Sequence, residues 1–404
     1  MFVHHRLVRN SGSFFHVALF AAFLFSVTAC DRPAQSADDG DTTQSADARQ
    51  VQEIPEIRLG GPALGTTYNI RIRLEPDSAA AARLAENTNI TALLERDIQR
   101  EFAAINAAMS NWQADSEISR FNQSRSTAPV QISPPFMRVL REAQRVHQIS
   151  GGAFDPAKDT LFALWGFGGG QTAPGDATSE PTHPPAAPTD AEIAAVQSSS
   201  GMARLKIFAR RNQIQKTAPE LRLNLSAIAK GDAVDRIFHL IEQHKLLRDE
   251  SQSGHGGRPA VMVEVGGEVR VGRTAGGRAW QLGIERPEYT AGRRSLYKVA
   301  ELENRSMATS GDYRNYYTLG GVRYTHILDP RTGRPEKTGV AQATVIGPEC
   351  MTADALATTL LVLGEKDGLR LLETQAGYEA LLLVAEGDGF RAAATPGMAA
   401  YLRR

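Results

Sequence analysis

Between Tyr68 and Leu74 apolar and polar positions alternate, with Tyr68, Ile70, Ile72 and Leu74 set against Asn69, Arg71 and Arg73. A period of two predicts a half-buried strand. Over residues 87–109 the period lengthens: Leu94, Ile98, Phe102, Ile105 and Met109 recur at helical spacing and predict a long amphipathic helix. Pro134 and Pro135 suit the first turn of a second helix, whose face carries Val139, Leu140, Ala143 and Val146 and which Gly151-Gly152 can stop. Residues 221–225 read as a strand, and 234–241 as a helix carrying Val234, Ile237, Phe238 and Ile241. Residues 261–265, 269–272 and 280–284 read as sheet, with Gly266-Gly267 turning the first pair. A strand over 343–346, helices over 352–363 and 366–374, and a strand over 380–385 complete the pattern. There is no repeat of fixed period. Hairpins mixed with separated helices argue for an α+β fold rather than a regular βαβ array.

The first 55 residues break this pattern. Arg6 and Arg9 precede an apolar run over 14–27, and Thr28-Ala29 lead to Cys30. The run is short for a membrane span, which needs ~20 apolar residues, and suits a secretory signal over 1–29. Val27-Thr28-Ala29-Cys30 resembles a bacterial lipobox, which implies lipidation of Cys30; in such lipoproteins Asp31 favours retention at the inner membrane, facing the periplasm. Cleavage after Ala29 with an ordinary Cys30 is the plainer alternative. Residues 30–55 are rich in Asp, Ser, Gln, Thr and Ala and read as a flexible tether. Composition changes at Gly60-Gly61-Pro62, and the folded domain is drawn over 56–404, with a Pro- and Thr-rich surface loop at 171–190.

Charge adds an exclusion. The 404-residue chain carries 45 basic and 45 acidic side chains, so nothing in the balance argues for nucleic acid, and an anionic ligand must be held by local geometry. There are two cysteines; with Cys30 lipidated, Cys350 has no partner in the chain and reads as a core thiol.

Several stretches carry candidate chemistry, each with an ordinary structural alternative. Asp354 and Thr358, four apart in a helix-forming run, share one helix face and offer the hard oxygens that Mg2+ or Ca2+ prefers, or are a first-turn acid and a buried hydroxyl. Residues 224–235 pass from strand to helix with Lys230 near the start, a place for a pyrophosphate or merely a capped helix with a surface lysine. Trp112 lies in a polar stretch ending at Asn122, where an aromatic can stack on a planar ring or simply precede a short helix capped by Asp115 or Ser116. Gly151-Gly152-Ala153-Phe154-Asp155 is flexible backbone beside aromatics, without a Walker or Rossmann fingerprint. His326 is a general base or a hydrogen-bonded structural histidine.

In order, the chain contains GxxxGTTY, MSxWxxDSEISRFN, SGGAFDP with LWGFG, LSAIAKGDAVD, VxVGGEVRxG with WxLGIERP, ATSGDYRNY, HILDPRTGRP and TADALATT. Together these resemble the ApbE-type flavin transferases, over roughly residues 58–375. The resemblance implies mixed, largely antiparallel sheets with packed helices and a flavin site between two halves. It also implies cleavage of FAD, Mg2+-dependent transfer of FMN to a Thr or Ser of an acceptor redox flavoprotein, and release of AMP. FAD hydrolysis by water and FAD binding without turnover are the rival activities. Carried over by position, Asp354 and Thr358 are side-chain metal ligands and Ala227 a carbonyl ligand. Leu64, Trp112, Ala153, Phe154, Asp155, Asn224, Lys230 and Ile327 fall on FAD-contacting positions, and His326 on that of the base. Two departures stand out: Asn224 occupies a position commonly Asp, and Trp112 one often Tyr.

Overall fold

The computed structural model describes residues 54–75, 78–86, 89–167, 186–247, 259–274, 278–288, 295–313 and 315–403. The signal segment, Cys30, the tether up to residue 53, the loop over 171–185, Gly168 and Arg314 lie outside the described residues.

The chain enters with β1 (Glu56–Ala63), which pairs with β2 (Thr66–Arg73) across a two-residue turn at Leu64-Gly65. Pro62 sits in β1, an edge strand, where a missing N–H costs no ladder bond. A short α1 (Ala79–Glu86) precedes α2 (Asn89–Met109), which buries Leu94, Ile98, Phe102, Ile105 and Met109 as their spacing requires. Ser116 caps α3 (Glu117–Gln123), and Ser133 caps α4 (Pro134–Ile149) beyond the small strand β3 (Val130–Gln131). Next come α5 (Asp159–Leu164), α6 (Asp190–Ser199), β4 (Leu205–Phe208) and β5 (Gln213–Lys216); β3, β5 and β4 form a three-stranded sheet.

Helix α7 spans Ser226–Glu242, eight residues earlier than periodicity suggests. Its first two turns carry small residues that pack instead of a wide apolar stripe. Strands β6 (Ala260–Val265) and β7 (Glu268–Val271) turn at Gly266-Gly267 as expected. Then follow the β8 (Trp280–Glu285) and β9 (Leu296–Leu302) pair, β10 (Arg305–Gly311), and the hairpin of β11 (Tyr316–Leu319) and β12 (Val322–Thr325). A second, tight hairpin joins β13 (Leu328–Asp329) to β14 (Arg334–Pro335). Last come β15 (Val340–Gly347), α8 (Cys350–Glu373), β16 (Glu379–Glu386) and β17 (Gly389–Ala394). Gly364, at φ 76°, breaks α8 where the sequence separates two helices.

Eight strands form one antiparallel sheet in the order β1-β2-β6-β7-β10-β15-β16-β17. Its two faces are sorted by the period of two. Val261, Val263, Ala308, Ala343 and Val345 join the core beneath α7 and α8, whereas Met262, Val271, Met307 and Ile346 pack with Trp280, Leu282 and Ala300 of the β8–β9 pair. By the same parity Glu268 and Ser310 belong to the helix-covered face. Cys350 is buried, and burial holds its thiol well above the ordinary value, as expected of an inert core residue. No described helix is long and apolar enough to cross a membrane.

Candidate active site

Residues 221–225 are not a strand. Leu221, Leu223 and Leu225 are buried as alternation predicts, but Leu223 and the Leu221 carbonyl are paired by side chains rather than by a neighbouring strand. Asn122 accepts from the Leu223 N–H (2.7 Å) and donates to its carbonyl (2.8 Å), and Asn111 donates to the same carbonyl (2.9 Å). One carboxamide thereby makes both bonds of a β-bridge. The buried ammonium of Lys216 donates to the carbonyls of Leu221 (2.9 Å), Phe121 and Ser124 (2.8 Å each). Burial pushes Lys216 down to about 8, which leaves it charged at neutral pH.

This segment fixes Asn224. Its backbone N–H donates to Pro156 (2.7 Å), its Nδ2 donates to Asp159 Oδ1 (3.0 Å), and its Oδ1 accepts from the N–H of Ser226 as α7 begins. Arg222 donates to the other Asp159 oxygen at 3.0 Å. The 110–122, 153–159 and 221–226 segments therefore converge. Within the second, Ala153 and Phe154 are buried in the core, and both Asp155 oxygens serve the backbone, accepting from Ala157 (2.9 Å) and Met202 (3.1 Å). Trp112 remains 47% exposed, its backbone held by Ser110 Oγ. Leu64 occupies the β1–β2 turn at φ 53°, a left-handed conformation that costs a non-glycine residue about 1–2 kcal/mol.

Helices α7 and α8 pack closely because Gly231 has no side chain; a Cβ there would strike the Cys350 carbonyl. Asp235 fixes the register by accepting from the first N–H groups of α8, Cys350 at 3.0 Å and Met351 at 2.9 Å. Asp354 Oδ2 then accepts from the Gly231 N–H (3.0 Å) and lies 3.7 Å from Lys230 Nζ. One turn on, Thr358 shares a hydrogen bond with Ser310 of β10 (3.0 Å). Ala227 lies half-buried in the first turn of α7.

Lys230 also meets Glu268 of β7, with Nζ 3.1 Å from Oε1. Burial opposes the lysine's charge, but Asp354 and Glu268 outweigh it and hold its pKa above the usual lysine value. Burial raises both the Asp354 and the Glu268 carboxyl above the ordinary carboxylate range, and the Lys230 charge works against that rise. Two buried carboxyl groups thus face one ammonium, and an added cation would favour their ionised forms.

His326 follows β12, half-buried, with its Nδ1 3.0 Å from the Asn315 carbonyl. That acceptor assigns the ring proton to Nδ1 and leaves the Nε2 lone pair free. Burial lowers its pKa, and the charge on Lys230 adds to the effect. Ile327 is buried beside it, and its carbonyl accepts from Glu336.

A sequence profile of the ApbE family matches residues 64–382. The chain belongs to the ApbE family. The FAD:protein FMN transferase of Vibrio cholerae is 37% identical over 350 residues, covering 86% of this chain and 93% of its own. That of Haemophilus influenzae is 34% identical over 343 residues, covering 84% and 89%. In structure, the flavin transferase ApbE from Vibrio cholerae superposes with a TM-score of 0.70 at 36% identity, covering 87% of this chain and all of that one. The apo Pseudomonas stutzeri flavinyl transferase ApbE gives 0.68 at 27% identity, covering 87% and 98%. These ApbE structures share the mixed α+β architecture seen here.

Against this ApbE frame, the residues brought together are Lys230, Asp354 and Thr358, with Ala227 on the same helix as Lys230. Two neighbours were not singled out from the sequence, Glu268 and Ser310. Both lie inside quoted motifs, and Glu268 had a usable signal: a carboxylate at the head of an otherwise sheet-forming run directly after Gly-Gly.

Proposed function

We propose that this chain cleaves the pyrophosphate of FAD and transfers the FMN half to a Thr or Ser hydroxyl of a redox flavoprotein, releasing AMP. The relatives that carry the name FAD:protein FMN transferase support this reading. The observation that carries it is the α7–α8 contact, which sets the Lys230 ammonium beside the Asp354 carboxylate with the Thr358 hydroxyl one turn away.

The donors suit Mg2+. Asp354, Thr358 and the Ala227 carbonyl are all hard oxygens, and Mg2+ takes few protein ligands while keeping water. Glu268 Oε2, buried without a hydrogen-bond partner, is a further acceptor for something brought into the site. When bound, Mg2+ supplies charge neutralisation on the pyrophosphate. Lys230 adds a positive charge to the same anion, and the helix N-terminus favours it. Trp112 offers an exposed ring for stacking on a planar part of FAD.

In the transfer, the acceptor oxygen attacks the FMN phosphorus while the bond to the AMP phosphate breaks. His326 Nε2 takes the hydroxyl proton. Incubation of the purified protein with FAD, Mg2+ and a candidate acceptor should add an FMN mass increment and in-gel fluorescence to the acceptor, and D354A should abolish it. AMP formation with no increment on any acceptor identifies water as the acceptor instead. Stable FAD with no AMP identifies a binding protein. We place the enzyme at the periplasmic face of the inner membrane through a lipid on Cys30. Loss of fatty-acid labelling and of membrane association in C30A tests this.

A further inference from the structure

We propose that Glu268 is a positioning residue that holds the Lys230 ammonium off Asp354, so that the aspartate is free for the metal. The inference rests on the metal site proposed above.

The distances rank the two carboxylates. Lys230 Nζ is within hydrogen-bond range of Glu268 Oε1 at 3.1 Å, whereas Asp354 Oδ2, at 3.7 Å, lies beyond it. The lysine therefore lies nearer Glu268 than Asp354, and both carboxylates act on its charge. The anchor is rigid and the anchored group is not. Glu268 starts β7 inside the eight-stranded sheet, is 3% exposed, and stands on the face that α7 and α8 cover. Lys230 reaches it along a flexible four-carbon stem.

Asp354 is the other carboxylate that acts on Lys230. An ammonium in such a place does not stay unpaired. Without Glu268 it would close on Asp354 Oδ2, an oxygen that already accepts from Gly231, and compete with a cation for the same carboxylate. With Glu268 in place the lysine keeps a partner when Asp354 turns to the metal, and stays beside the pyrophosphate. The unpartnered Oε2 of Glu268 fits this account, because one oxygen suffices to hold the lysine.

The test is Mn2+ binding, read by electron paramagnetic resonance without FAD, in wild type, E268A, K230M and the double variant. E268A should weaken Mn2+ binding about 10- to 100-fold, the usual effect of removing a partner behind a metal ligand. In the K230M background the same substitution should cost little, since no lysine remains to be held. E268Q, a neutral acceptor, should give a smaller loss that also vanishes with K230M, and it reads the cycle should E268A not fold. Equal affinity in wild type and E268A overturns the proposal. So does an E268A loss of the same factor with and without Lys230, which would mean that Glu268 acts on the cation by charge alone. Failure of the wild type to bind Mn2+ overturns the metal site itself and this inference with it.

Discussion

The Gly231 N–H donates to Asp354 Oδ2 at 3.0 Å, joining two residues 123 positions apart. Both partners depend on the helix contact around them. Gly231 lets α8 approach, and Asp354 is presented by the turn of α8 that Asp235 caps.

G231A tests that contact. In an ordinary helix the change would stabilise by up to ~1 kcal/mol. Here the added methyl meets the Cys350 carbonyl, and overpacking of this kind costs about 1–3 kcal/mol. Urea unfolding should show the loss, and FAD binding should weaken with it.

His326 sets a pH dependence. Its folded pKa lies below the unfolded value of about 6.5 because of burial and Lys230. The transfer rate should rise with pH through a midpoint below that value and then level off. H326A should cost about 10²- to 10⁴-fold in rate, remove the acid limb, and leave FAD affinity nearly unchanged. The same shift acts on stability. Above about pH 6.5 the contribution is fully present; as pH falls through the folded pKa it is lost, because the unfolded chain binds the proton more readily. Urea midpoints at pH 7.5 and pH 5 should therefore differ less in H326A than in wild type.

Asn224 stands where the resembling family commonly has Asp, and its Nδ2 faces the Asp159 carboxylate at 3.0 Å. N224D would set two carboxylates against each other. With Arg222 offsetting part of the repulsion, the loss at pH 7 should be about 1–2 kcal/mol. Facing acids titrate higher when folded, so the deficit should be absent near pH 4, where the unfolded carboxylates protonate, and grow as pH rises. Chemical denaturation across that range measures it.

K216M leaves three carbonyls without their donor, two of them buried. At about 1 kcal/mol or more for each buried unsatisfied group, the variant should lose at least about 2 kcal/mol. Amide exchange should rise first at Leu223, in the segment that leads to Asn224 and α7.

Much of the fold was legible in the chain. The α2 stripe, the proline start of α4, the Gly266-Gly267 hairpin and the break near Gly364 are local: each is written in neighbouring residues whose period or backbone freedom allows one geometry. The eight ordered motifs likewise carried the family. Residues 221–225 show where locality ends. Their alternation of buried leucines is that of a strand, but the groups that pair with them are the carboxamides of Asn111 and Asn122, about a hundred positions earlier. No period within the segment could report that partner.

The site divides in the same way. By itself the sequence determined which chemistry is present: a carboxylate and a hydroxyl one helical turn apart, a lysine near a helix start, a histidine after a strand. Only the tertiary structure decided which of them meet. It set Lys230 between Glu268 and Asp354, joined Thr358 to Ser310, and turned the His326 proton toward Asn315. The reason is physical. Helix and strand periods follow from the backbone and are repeated residue by residue, whereas a buried charge finds its partner through the packing of elements that the chain brings together once.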